Sequence, residues 1–267
     1  TSDGTTVYCG SGLGGYVYGV DGATGTQRWA TKITPDSDVL IFSPVLAQGV
    51  VYAGFADLQV GPGLNRSQRV TGGVAAIDAA SGRLLWMRLL PKPDSTIASA
   101  TRFVAAGAGL IFAGAQDGTL YALDDQTGAV RFSVPKTQFA IPPAVAPTRD
   151  DAKVIVVSGA TVVVGSVSGG TVTALSATDM HRLWIVDELN TYGSVYDIIV
   201  DSGLVYASFV GGGLTVSRIS DGRKVWVISG KDRKPRGIFD HIAAAPAIDG
   251  DRIYLGGFEE AYALRKP

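Results

Sequence analysis

The densest run of charge in the chain is Lys231-Asp232-Arg233-Lys234-Pro235-Arg236, which leads into Phe239-Asp240-His241. Four basic groups in six residues can hold an anion. Arg233 and Arg236, with Lys234 between them, suit a carboxylate-rich ligand because guanidinium groups bind carboxylates in bidentate fashion. A solvated charge run is the plainer account of the same residues. Asp240-His241 is the one place where a histidine adjoins a carboxylate. Adjacent residues of a strand point to opposite faces, so these neighbours are weak grounds for an acid–base dyad. Phe42, Arg102 and the pair Tyr196 and Asp197 stand at corresponding places ahead of or within inner strands, with Tyr192 close by. They are candidates to line a channel, where aromatic rings stack on a planar ligand or simply fill the core. The insertion from Phe55 to Gly73 carries Asn65, Arg66 and Arg69 and is a candidate docking loop or lid, with a tolerated surface insertion as the alternative. His181 reads as an exposed turn residue.

No catalytic residue is assigned. Cys9 is the sole cysteine, which excludes an internal disulfide framework and any cysteine-rich metal site. It reads as a small buried residue on a strand. The chain has no EF-hand loop, no His-x-x-x-His or Cys-x-x-Cys spacing, no Gly-x-Ser-x-Gly elbow and no phosphate loop. Gly10-x-Gly12-x-Gly14-Gly15 joins two strands and opens no helix, so it is not a dinucleotide site. No metal is expected. With 24 acidic and 23 basic side chains the net charge is −1, which argues against a nucleic-acid partner. No apolar run approaches the roughly 18 residues that span a bilayer, and the opening carries no secretory signal segment, so the chain reads as processed or excised from something longer.

The elements that must position these residues come from an internal repeat. Glycine supplies 35 of 267 residues, about twice the usual share, which leaves little room for helices. Six segments share one pattern: a β-forming strand, a second apolar strand, an Asp-led turn and an aromatic. The first strands include Val7-Tyr8-Cys9-Gly10, Val51-Tyr52-Ala53-Gly54 and Ile111-Phe112-Ala113-Gly114. The turns read Asp21…Gly25…Trp29, Asp78…Gly82…Trp86 and Asp124…Gly128…Phe132, with degenerate copies at Ser176…Met180…Trp184 and Arg218…Gly222…Trp226. Equivalent positions fall at 21, 78, 124, 176, 218 and 265, and such spacing suits four-stranded propeller blades. Asp caps backbone N–H groups, and Gly takes the positive φ that a tight hairpin requires. The aromatic projects from the outer strand to fill the space beside a neighbouring blade, and Gly19, Ala76, Ala122, Ala174 and Ala263 leave room for it.

These repeats resemble the tryptophan-docking repeats of the quinoprotein (pyrroloquinoline quinone, PQQ) β-propeller family over nearly the whole chain. The resemblance is nearest to non-enzymatic members such as the outer-membrane protein assembly lipoprotein or receptor-kinase sensor domains. It implies an all-β fold of four-stranded antiparallel blades in a single domain, 1–267, with repeats near 1–34, 35–92, 93–138, 139–190, 191–230 and 231–267. Six blades are expected, with part of an eight-bladed ring as the alternative. Inner strands are expected at Ser43–Leu46, Phe103–Ala106, Pro143–Val145, Asp197–Val200 and Ala245–Ile248, the first repeat lacking one and the last lacking its outer strand. Tight turns mark one end of the blades, with the connection from Val145 to Val162 as the exception. Longer loops mark the other end, and a binding site is expected there.

The resemblance implies a periplasmic or extracellular binding or scaffold propeller that engages a protein partner or small ligand and carries no cofactor. The alternative is a PQQ sensor or a PQQ- and Ca²⁺-dependent dehydrogenase acting on alcohols or sugars. The paired cysteines of the quinoprotein dehydrogenases cannot form here, which favours the first reading.

Overall fold

The computed structural model describes residues 1–35, 39–42, 44–57, 71–91, 101–115, 117–139, 153–166, 170–187, 194–210, 213–228, 246–256 and 261–266. Two compact units form, Thr1–Pro135 and Lys136–Pro267. Among the described residues the strands build six antiparallel sheets, each from strands consecutive in sequence.

The first unit holds three sheets. The first is β1 (Thr6–Gly10), β2 (Tyr16–Asp21) and β3 (Gln27–Lys32). The second contains β4 (Val39–Ile41), β5 (Val45–Ala47), β6 (Val50–Asp57), β7 (Thr71–Asp78) and β8 (Leu84–Leu89), with β4 and β5 both pairing with β6. The expected inner strand at Ser43–Leu46 is thus two short strands either side of Pro44. The third is β9 (Thr101–Gly107), β10 (Leu110–Ala115), β11 (Leu120–Asp124) and β12 (Val130–Val134).

The second unit opens with a 3₁₀ turn, Lys136–Phe139. Its first sheet is β13 (Lys153–Ser158), β14 (Thr161–Ser166), β15 (Thr171–Ser176) and β16 (Arg182–Asp187). Next come β17 (Val195–Asp201), β18 (Leu204–Phe209), β19 (Leu214–Arg218) and β20 (Lys224–Ile228). The last sheet is β21 (Ala247–Asp249), β22 (Arg252–Gly256) and β23 (Ala261–Arg265).

Two expectations about inner strands are corrected. In the fourth repeat the inner strand is β13, paired with β14 from Lys153↔Ser166 to Ser158↔Thr161, so the turn there is as tight as the others. Pro143–Val145 lies outside the described residues; β13 has an unbroken β-branched run, Val154 to Val157, that suits a ladder with β14, whereas prolines at 142 and 143 have no N–H to donate to one. In the first repeat the inner edge is not bare, because Ser2 bridges Val7 and Tyr8 N–H donates to the Thr1 carbonyl at 2.8 Å. Asp3 closes that corner by accepting from the Thr5 and Thr6 N–H groups and from the Tyr8 hydroxyl at 2.7–2.8 Å.

The core lies between sheets. Val17, Val51, Phe55 and Ile77 gather with Tyr8 and Trp29 between the first and second sheets, and Tyr52, Ile111, Tyr121 and Leu123 with Trp86 between the second and third. In the second unit Tyr206, Leu214, Ile253 and Leu255 cluster with Trp226. Middle strands such as β6 and β7 are buried on both faces, which explains their small residues, because each must clear a neighbour on either side. The turns Gln48-Gly49, Ala108-Gly109 and Ser202-Gly203 have φ between 49° and 77° at both positions, the primed hairpin whose twist matches flanking strands.

Candidate binding surfaces

Each Asp-led turn is a small hydrogen-bonded unit. Asp124 Oδ1 accepts from the Thr127 N–H and hydroxyl at 2.9 and 2.8 Å, Oδ2 accepts from Arg131 at 2.9 Å, and Gly128 N–H closes the turn onto the Asp124 carbonyl at 2.9 Å. The Arg131 guanidinium and the Thr127 donors hold the Asp124 carboxyl down at about 2. Asp21 repeats the arrangement with Thr24 and Arg28, and its carboxyl is likewise held well below the usual range, first by Arg28. In the degenerate copies the carboxylate moves to the fourth position: Asp221 takes Arg218 at 2.7 Å, and Asp179 takes His181 Nδ1 at 2.6 Å. His181 is exposed in its turn, as expected.

The aromatics of the outer strands seat on these turns. Trp29 Nε1 donates to the Ala79 carbonyl at 3.0 Å, Trp86 to Asp125 at 3.0 Å and Trp184 to Ile219 at 2.8 Å. In each case the indole lies over the turn glycine, so closely that a Cβ on Gly82, Gly128 or Gly222 would come within 2.7 Å of a ring atom. A further tie comes from two residues beyond the tryptophan: the Thr31 hydroxyl and Arg88 Nε donate to the carbonyls of Gly82 and Gly128. Across its own sheet each aromatic faces a small residue in the first four copies, Gly19, Ala76, Ala122 or Ala174, and the ladder slips by one residue immediately after that pair. The same slip follows Val216↔Trp226. Met180 occupies the glycine position of its turn with φ 61°, a conformation that disfavours a side chain.

Among the ligand candidates, the bulge positions were not foreseen. Arg102 is the extra residue where β9 pairs Thr101 with Ala115 and Phe103 with Gly114. Tyr196 is the extra residue where β17 pairs Val195 with Phe209 and Asp197 with Ser208. Phe42 lies in the break between β4 and β5, where its N–H donates to Gly54. A bulge interrupts the regular alternation, and two inner strands, β9 and β17, carry one. Tyr196 is 39% exposed. Asp197 is half-buried; desolvation pushes its carboxyl up, although the Ile198 N–H donates to it at 2.7 Å. These candidates stand on separate sheets. Tyr192, Arg233, Lys234, Arg236, Asp240 and His241, and the docking candidates Asn65, Arg66 and Arg69, lie outside the described residues.

At the opposite, tight-turn end, a small cleft of about 30 Å³ is lined by Ala47, Gln48, Tyr52, Gly107, Leu110 and Asp125. Tyr52, pushed up to about 12 by burial, is a neutral donor to the Asp125 carbonyl there. Among the described residues no group of three His, Cys, Asp or Glu side chains could hold a metal, and no helix is long and apolar enough to cross a membrane.

Cys9 corrects another expectation, because it is exposed. It shares the outward face of the first sheet with Val7, which is 42% exposed, and their cross-strand partners are Tyr18 and Val20. The equivalent residues of the next two sheets, Val51 and Ile111, are 0% and 1% exposed, because those sheets have a neighbour on that side.

Consecutive antiparallel sheets of three to five strands among the described residues, with Trp29, Trp86 and Trp184 each seated on a turn of the following sheet, define a β-propeller. The solved structures agree: BamB from Moraxella catarrhalis superposes with a TM-score of 0.66 at 16% identity, over 99% of this chain and 71% of that one. The computationally designed Ika8 protein gives 0.58 at 15% identity, covering 99% and 82%. A chain of the mitotic checkpoint complex gives 0.66 at 13%, covering 98% and 72%, so the fold alone spans unrelated tasks. No curated protein matches the chain in sequence. The family model described as outer membrane protein assembly factor BamB matches residues 70–265, and the chain belongs to that family.

Proposed function

We propose that the chain is a non-catalytic, extracytoplasmic scaffold propeller that engages a protein partner through the end of its sheets that carries the long connections. The match to the outer membrane protein assembly factor family over residues 70–265 carries this reading. The connections at that end include 58–70, 92–100 and 229–245, whereas the other end is closed by short hairpins. The bulged inner strands add exposed Tyr196. A tyrosine at such a rim supplies contact area with little entropy to lose. The family match supports periplasmic placement, and no resident cofactor is proposed.

Photo-crosslinking from position 66 and from position 196 in intact cells tests the reading. Adducts to envelope proteins of the outer-membrane assembly apparatus, lost when residues 58–70 are deleted while the melting temperature holds, are expected. Saturable binding of PQQ with Ca²⁺ in a calorimetric titration, followed by turnover of an alcohol or sugar, would replace the scaffold by a quinone enzyme.

A further inference from the structure

The outer strands β3, β8, β12, β16 and β20 each end the strand order of their sheet, and β8 differs from the rest in what it lays along that edge. In β3 and β12 the extra residue at the ladder slip is an arginine, Arg28 or Arg131, paired with the aspartate of its own turn at 2.6 or 2.9 Å. Charge at such a position discourages another strand from adding. In β8 the extra residue is Leu85, 37% exposed, and Met87 and Leu89 follow at 39% and 51%. Among the described residues no other outer strand shows three large exposed apolar side chains: β12 has Val130, β16 has Leu183, and β20 has Val225 and Val227. The backbone adds to this. Leu90 N–H donates to the Gly72 carbonyl at 2.9 Å, so residues 88 and 90 turn their N–H and C=O groups towards β7. By the two-residue period of a strand, those of Met87 and Leu89 lie along the outer edge.

We propose that the β8 edge is a two-fold contact between copies of this chain, β8 of one copy adding antiparallel to β8 of a second with Met87 at the axis. The residues themselves select that occupant. An antiparallel neighbour runs the other way, and the row Leu85, Met87, Leu89 reads the same in both directions. A second β8 therefore sets Leu85 opposite Leu89 on each side of the axis and Met87 opposite Met87, the self-match that an isologous contact requires. Met87 N–H donates to the Met87 carbonyl of the second copy, and the reverse, which joins the two sheets across the axis. Arg88, the one charge within the strand, falls opposite Trp86 of the second copy and not opposite its own like. Its Nε keeps its bond to the Gly128 carbonyl of its own copy. The contact spans residues 85–89 alone, far short of the roughly 20 residues a side of a standard interface, so the expected Kd is about 10–100 µM. It does not draw on the long-connection end, and either proposal can fail without the other.

Sedimentation velocity of the whole protein, followed up to about 500 µM, reads the association. A reversible dimer is expected. Met87→Lys, which sets two ammonium groups against each other at the axis, should weaken it by more than about tenfold, and Val227→Lys on β20 should leave it unchanged. Both positions are exposed, so the melting temperature should hold in either variant. Cross-linking reads the register. In a Cys9→Ser background, Met87→Cys should join two copies under diamide at least about tenfold faster than Val227→Cys, because directly opposed residues of antiparallel strands have Cα atoms about 5.5 Å apart, within reach of a disulfide. A monomer at about 500 µM overturns the proposal. A dimer that Met87→Lys leaves intact does so too, by giving the contact to another surface, as does equal cross-linking from the two cysteine variants.

Discussion

The first and second sheets are written in one repeat, yet Gly25 is open to solvent while Gly82 lies beneath the Trp29 indole, and Val7 is 42% exposed where Val51 is 0%. Both turns nevertheless close with the same backbone bond, 2.9 Å from glycine N–H to aspartate carbonyl, and with φ of 73° and 74°. The comparison separates two layers of the repeat. Asp, Thr or Ser, and Gly make the turn locally, and the aromatic then joins one sheet to the next without being needed to shape what it lands on.

The largest effect should come from removing that joint. Trp29→Ala and Trp86→Ala should each cost about 3 kcal/mol in denaturant unfolding, since each opens a void between sheets and strands a carbonyl. A loss under about 1 kcal/mol would mean that the sheets cohere through their strands alone. The comparison sharpens with Gly25→Ala against Gly82→Ala. Both incur the same positive-φ cost of about 1 kcal/mol, but only at Gly82 does the new Cβ meet an indole at 2.7 Å, so Gly82→Ala should be worse by a further 1–2 kcal/mol or so. Equal losses would show that strain in the turn, and not contact, selects glycine.

Acid titration probes the local layer. Asp124 is held at about 2 in the folded chain, below an ordinary carboxyl, so its contribution is present above the ordinary range and is lost as pH falls towards 2. Asp124→Asn should therefore flatten the stability profile in that window and leave the profile above it nearly parallel to the parent's. The smallest effect is expected at Asp197, where the sign reverses. Burial raises its carboxyl, so ionisation costs stability at neutral pH and costs nothing below the ordinary carboxylate range. Asp197→Asn keeps an acceptor for the Ile198 N–H and should raise the melting temperature at pH 7, with the gain shrinking towards pH 4.

The spacing of Asp21, Gly25 and Trp29 and its copies was enough to read the strands, the turns and the fold, because each copy states the same local chemistry at nearly fixed intervals. The fourth inner strand was misplaced because a run of valines either side of Ser158-Gly159 looks alike whether its strands are inner or middle; only the pairing of Lys153 with Ser166 decides. Cys9 misled for a related reason. Its strand repeats the pattern of buried strands, but burial depends on what lies across the face and not on the residue's own segment. The bulges at Arg102 and Tyr196 carry no composition of their own, so the sequence does not show where the alternation of these two strands breaks. Of the binding candidates, position along the repeat was legible and mutual arrangement was not.

The corner made by Asp3 has a consequence for solubility. An outermost strand with free N–H and C=O groups invites another chain to add to it, the first step of fibrillar association. Here Thr1 and Ser2 already lie along β1, and the Asp3 carboxylate, bonded to Thr5, Thr6 and Tyr8, places a negative charge at the entrance to that edge. An incoming strand must displace two residues and approach an anion that its surroundings keep ionised, its carboxyl held well below the usual range by the Tyr8 hydroxyl first. A chain rich in buried valine thus carries a guard against self-assembly at its own first strand.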